Sequence, residues 1–184
     1  MPGNPVEKQF WGKVPVHSAT ALYYFSKGGR VQHLIHRLKY HGEKEVGFFT
    51  GSILGTELRK SGRFNSVNVV IPVPLHASKR KIRGFNQAEF FADGLADSMG
   101  IPMLPDYLVR EKATSTQTHK TRFERFINVD RIFKINDQNS LQSCHFLLVD
   151  DVVTTGSTLS SCVAALLELP GSKVSVATLA YAKL

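Results

Sequence analysis

Apolar positions recur in two rhythms along this chain, and the changes of rhythm outline its elements. Val14, Val16, Leu22, Tyr23, Tyr24 and Phe25, interrupted by Pro15, read as one or two short strands, and Gly28-Gly29 turns the chain. Val31, Leu34, Ile35 and Leu38 then fall at i, i+3, i+4 and i+7, an amphipathic helix that ends before Gly42. Phe48, Phe49, Ile53, Leu54 and Leu58 suggest a second helix, weakened by Gly47, Gly51 and Gly55. The Val67–Ile71 run is a buried strand ended by Pro72-Val73-Pro74. Residues 87–98 are helical, with Phe91 and Leu95 on one face and Gly100 closing them. Residues 101–103 resume extended structure, 109–130 are polar and basic without a period, and 131–135 alternate as a strand. Phe146-Leu147-Leu148-Val149 is a buried strand, Leu159, Val163, Leu166 and Leu167 mark the next helix, and 174–181 a final strand. Strands alternating with helices predict an α/β fold, a mostly parallel sheet flanked by helices, with ligands gathering at the carboxyl ends of the strands.

The chemistry concentrates where the 146–149 strand ends. Asp150-Asp151 follow the apolar run, and Thr154-Thr155-Gly156-Ser157-Thr158 lead into the next helix. Carboxylates accept hydrogen bonds from vicinal hydroxyls. The loop after them offers N–H groups and hydroxyls to a phosphate, at the positive end of a helix dipole. A ribose 5-phosphate has both features. A plain strand-to-helix turn would also use Gly, Ser and Thr, and paired Asp at a strand end can hold a metal. The conjunction of all parts favours the phosphorylated ribose. No G-x-x-x-x-G-K-[ST] occurs, and no G-x-G-x-x-G follows a strand, which argues against P-loop and dinucleotide folds.

Composition narrows the class. A chain of 184 residues that is 42% hydrophobic and 21% charged fits one globular domain, 1–184. Residues 1–29 form an N-terminal extension that begins as a polar tail, and 109–130 a mobile loop. No apolar run approaches a membrane span, no secretory leader is evident, and Cys144 and Cys162 are too few for a disulfide framework or zinc quartet. A reducing cytoplasm is the expected compartment. His33, His36 and His41 lie in or near the first helix, where no Cys or carboxylate completes a ligand set, so no protein metal site is expected. A net charge of +8 favours polyanions, with Lys79, Arg80, Lys81 and Arg83 forming one cluster and Arg110, Lys112, Lys120, Arg122 and Arg125 another.

The 146–158 run resembles the phosphoribosyl-pyrophosphate (PRPP) motif of type I phosphoribosyltransferases, and the chain is most similar to their competence protein F group. The likeness extends through Leu34-Ile35-His36-Arg37-Leu38-Lys39-Tyr40-His41-Gly42, Ile71-Pro72-Val73-Pro74-Leu75-His76 and Arg83-Gly84-Phe85-Asn86-Gln87. It continues in Leu108-Val109-Arg110-Glu111-Lys112-Ala113-Thr114, Gln117 and Arg125-Phe126-Ile127-Asn128, covering residues 20 to 182. The resemblance implies a transferase acting on PRPP with Mg²⁺ carried on its pyrophosphate, an acceptor left open, and a link to DNA uptake. A non-catalytic competence factor that binds PRPP, single-stranded DNA or competence proteins is the other class it implies; a homo-oligomer is compatible with either.

By that resemblance Asp150 and Asp151 meet the ribose hydroxyls and favour positive charge developing on the ring. Thr154, Thr155, Gly156, Ser157 and Thr158 cradle the 5-phosphate, with Gly156 allowing close backbone approach and any side chain there crowding the phosphate. Pro74, Leu75 and His76 match the pyrophosphate loop, and Arg83 suits pyrophosphate oxygens. Asn86 fits a helix cap equally well. Arg110, Lys112, Gln117 and Arg125 sit on the loop that closes over the reaction in related enzymes, and Arg125 and Asn128 serve as well to brace its base. Members of the group commonly begin with a Cys-rich zinc finger. No such segment is present in these residues, so that finger's roles are not carried over.

Overall fold

The computed structural model describes residues 3–110, 132–137 and 141–183. A four-stranded parallel sheet runs β1 (Ala19–Phe25), β6 (Lys173–Ala182), β5 (His145–Val153) and β2 (Val69–Pro72) from edge to edge. An isolated parallel bridge from Val70 to Met103 lengthens the β2 side. Strands β3 (Leu108–Arg110) and β4 (Phe133–Ile135) form a separate antiparallel pair. The helices are α1 (Pro5–Lys8), α2 (Arg30–Tyr40), α3 (Lys44–Ser61), α4 (Ala77–Arg83), α5 (Gln87–Met99) and α6 (Ser157–Leu166).

Strands β5 and β6 are buried on both faces, which is why they read as apolar runs and not as alternating ones. Phe146 and Leu148 point into one core layer with Val174, Val176 and the Leu159, Cys162 and Val163 face of α6. Leu147 and Val149 point into the other, against Ile35 and Leu38 of α2, Leu54 and Leu58 of α3, and Phe91 and Leu95 of α5.

The glycines that weaken α3 as an isolated helix are the reason it packs. Each costs a helix interior about 1 kcal/mol relative to Ala. A Cβ on Gly51 would collide with the Phe91 carbonyl oxygen, one on Gly55 would sit 2.7 Å from that of Leu95, and one on Gly47 2.8 Å from Phe90 Cβ. Gly94 of α5 is reciprocally occupied by the Phe48 carbonyl. Close approach of two backbones outweighs local propensity.

The structure differs from the pattern-based expectation in four places. Residues 19–25 of the expected N-terminal extension are an integral sheet strand, and before them Asn4 caps α1 while Phe10 is 1% exposed in the core. The cationic run at 77–83 is a helix with no buried residue, so it carries no apolar period to detect. Residues 109 and 110, expected to begin a loop, belong to β3 and pair with β4; the remaining loop residues, including Lys112, Gln117, Arg125 and Asn128, lie outside the described residues. Strand β5 continues through Asp150-Asp151 to Val153, so the acids sit within the strand and not beyond its end.

Candidate functional site

Strand geometry divides the acidic pair. Successive side chains on a strand point to opposite faces, so Asp150 turns toward the α6 side and Asp151 toward α2 and α5. Alternation slips by one just beyond them: Val152 packs with the α2–α3–α5 layer and Val153 with the α6 layer.

Asp151 is buried and engaged. Its Oδ2 lies 2.6 Å from Lys39 Nζ at the end of α2 and accepts a hydrogen bond from Gln87 Nε2 at 3.1 Å. Gln87 Oε1 in turn accepts from Arg83 Nη1 at 2.9 Å, and the Arg83 guanidinium lies 5.4 Å from the centre of the exposed Tyr40 ring. Lys39 and Gln87 fall in segments that resemble the family, yet a Lys in the last turn of a helix is ordinary, and nothing in the pattern marks it as the partner of a distant acid.

Asp150 has no cationic partner within ion-pair distance among the described residues. Its Oδ1 accepts the Asp151 backbone N–H at 2.8 Å. Burial pushes its carboxyl well above the ordinary carboxylate range, and the adjacent Asp151 adds to this; that N–H and Lys39 act the other way without cancelling it. Asp150 nevertheless lines a cavity, together with residues 152–159. The cavity measures about 60 Å³ on a scale where one water needs roughly 10–15 Å³, room on the order of a phosphate group.

The loop around that cavity is built as a cradle. Gly156 adopts φ 75°, a left-handed conformation that favours glycine, and immediately precedes α6. Thr155 Oγ1 lies 3.0 Å from Ser157 Oγ and accepts weakly from Ser157 N at 3.4 Å. The N–H groups of Gly156 and Thr158 have no acceptor among the described residues. One expectation changes: a Cβ on Gly156 would meet Phe10 Cε1 at 3.4 Å and Gln9 Cβ at 3.6 Å, ordinary contact distances, so it would border the N-terminal segment without a clash. The glycine is required by its φ, and the reason is local.

Of the other candidate residues, those at 74–76, 83 and 110 fall within the described residues. Pro74, Leu75 and His76 connect β2 to α4 beside the carboxyl half of β5, with Val73 N bonded to Val149 O at 2.8 Å. His76 caps α4 through Nδ1, and Asn86 caps α5 while holding Val73 O at 3.0 Å, which realises the capping alternative for Asn86. Arg110 lies over the Phe133 ring and is close enough to influence the buried Cys162 thiol, which burial and Asp150 push up. His33, His36 and His41 are exposed. Among the described residues no three His, Cys, Asp or Glu side chains cluster as a metal cage. No described helix is long and apolar enough to cross a membrane. A wider hollow of about 460 Å³ over Trp11–Val16 is lined by a single short run and lacks converging polar groups.

The chain is similar to several known proteins. The phosphoribosyl transferase domain family matches residues 86–183. DNA utilization protein YhgH of Salmonella typhimurium is 30% identical over 146 residues, covering 78% of this chain and 63% of that protein. Competence protein F of Haemophilus influenzae is 31% identical over 153 residues, 81% of this chain and 67% of that protein. The chain thus spans less than two thirds of the YhgH length. Glutamine PRPP amidotransferase from B. subtilis, in a structure with ADP and GMP, superposes with a TM-score of 0.52 at 18% identity, over 78% of this chain and 30% of that one. At that identity the likeness is one of fold.

Proposed function

The chain belongs to the competence protein F family of type I phosphoribosyltransferases, and from that premise we propose that it binds PRPP and transfers its phosphoribosyl group to a nitrogen acceptor in support of DNA uptake. The observation that carries this reading is one cavity lined by both Asp150 and the Thr154–Thr158 loop, with Gly156 capping α6.

Each end of a ribose 5-phosphate then has a partner. The loop N–H groups and hydroxyls take the 5-phosphate, aided by the helix dipole. Asp150 accepts the ribose hydroxyls and stabilises positive charge developing on the ring as the bond to pyrophosphate breaks. Asp151, held by Lys39 and Gln87, contributes its field from the opposite face. The Pro74–His76 turn and Arg83 flank the leaving group. Mg²⁺ fits as an ion that rides on pyrophosphate oxygens and neutralises their charge, because such ions need few protein ligands. The acceptor is open, and the proposed compartment is the cytoplasm.

Calorimetric titration with Mg²⁺ and PRPP tests the site. Asp150→Asn, which leaves the Lys39–Asp151 pair in place, is expected to weaken binding about tenfold, or ~1.4 kcal/mol, without loss of folding. Unchanged affinity would remove Asp150 from the site. A second reading, a PRPP-binding competence factor that contacts DNA without turnover, draws on the wholly unburied helix α4 with Lys79, Arg80 and Lys81 and on the relatives' names. Pyrophosphate release with some member of a panel of bases favours transfer. Its absence, with single-stranded DNA affinity that falls steeply as salt rises, favours the second.

A further inference from the structure

The N-terminal segment reaches the phosphate loop from beneath, on a firm footing. Asn4 caps α1 and donates to Ala19 O at 2.8 Å, Glu7 pairs with Arg63 at 2.6 Å, and Val6 and Phe10 are buried. Phe10 and Gln9 border Gly156, 3.4 and 3.6 Å from where its Cβ would stand, and Gln9 Nε2 donates to the Tyr181 hydroxyl at 3.1 Å. The turn after Phe10, closed by the N–H groups of Lys13 and Val14 onto Phe10 O, presents Lys13. Its Nζ donates to Thr155 O at 2.7 Å.

A trans peptide holds its C=O and N–H in one rigid plane, pointing in opposite directions. Holding the Thr155 carbonyl toward Lys13 therefore directs the Gly156 N–H away from Lys13. That N–H has no acceptor among the described residues. An ammonium has three donors, so the contact also leaves positive charge against the loop.

We propose that Lys13 is a positioning residue for the 5-phosphate: it sets the Thr155–Gly156 peptide so that the Gly156 N–H is aimed into the cavity before ligand arrives. The proposal rests on the reading of this loop as a phosphate cradle. It adds a residue from outside the 86–183 family match.

The test uses the full chain with Lys13→Met and Lys13→Arg, titrated with ribose 5-phosphate and, separately, with Mg²⁺-pyrophosphate, which lacks the 5-phosphate. Lys13→Met is expected to weaken ribose 5-phosphate about tenfold, the loss typical of one charge-assisted hydrogen bond, and to leave pyrophosphate affinity unchanged. Lys13→Arg should restore most of the loss. In the ligand-free protein, the Gly156 amide resonance should shift in Lys13→Met and return toward its wild-type position in Lys13→Arg. Wild-type affinity in Lys13→Met with an unmoved Gly156 amide overturns the proposal alone, as does an equal loss for both ligands. A wild type that binds neither ligand sinks the ribose-phosphate reading, and this proposal with it.

Discussion

At its amino end strand β5 buries His145; in its carboxyl half it carries Asp150 and Asp151, and the two regions meet the cost of burial differently. His145 is 3% exposed, with Nδ1 at 2.8 Å from Ser66 Oγ and Nε2 at 2.9 Å from Ser175 Oγ. A neutral imidazole has one donor and one acceptor, and a hydroxyl can be either, so both nitrogens are satisfied without charge. Burial lowers its pKa to about 4, with the nearby His17 and Lys173 acting in the same direction. The acidic half has two carboxyls and one ammonium. Lys39 and Gln87 satisfy Asp151, and Asp150 is left with a backbone N–H. The amino end closes its polar accounts; the carboxyl half leaves Asp150 without a cationic partner among the described residues.

Removing Lys39 should break this contrast most severely. Lys39→Met strands a buried carboxylate, and since the lysine is 23% exposed the loss should be about 3 kcal/mol, below the top of the range for fully buried pairs. Urea unfolding measures it, and adding Asp151→Asn should return most of the loss. A single variant within ~0.5 kcal/mol of wild type would show that the pair carries little.

The histidine end sharpens the comparison through pH. Its folded pKa of about 4 lies below the ordinary histidine value of 6.5. The unfolded chain therefore takes up a proton first as pH falls, and stability declines across that window. The expected loss is roughly 2 kcal/mol between about pH 7 and about pH 5. His145→Gln should flatten that slope in denaturant titrations at several pH values, even if it lowers stability throughout. An unchanged slope would place the titrating group elsewhere.

Asp150 has the opposite sign. Its folded pKa is raised above 3.8, so the native state holds its proton longer and stability falls as pH rises through the window above that value. Asp150→Asn should gain relative to wild type toward neutral pH and show no such gain in strong acid, as read by thermal unfolding. A pH-independent difference would contradict the burial argument. The smallest effect is expected at Thr155→Val, which removes a long, exposed 3.4 Å cap contact and should cost well under ~1 kcal/mol of stability.

Local rhythm made most of the fold legible. The i, i+3, i+4 spacing of α2 and the unbroken apolar runs of β5 and β6 announce helix and doubly buried strands because burial selects those residues wherever the element lies. Helix α4 and strand β3 were not legible. One buries no side chain, and the other is short and takes its partner from beyond a long stretch of chain. The acidic pair and its loop stood out as a run of adjacent residues, but the parting of Asp150 from Asp151 needed the sheet with a helix on each side.

By itself the chain order determined an α/β alternation and marked out the Asp-Asp-to-Gly156 segment, since these depend on neighbours in sequence and on periodicity. Only the tertiary structure decided that Asp151 is taken by Lys39, that the α3 glycines exist for contact with α5, and that Lys13 touches the 154–158 loop. Each of those joins groups far apart along the chain. Distances of that kind are set by how the layers pack, and no local pattern of residues encodes them.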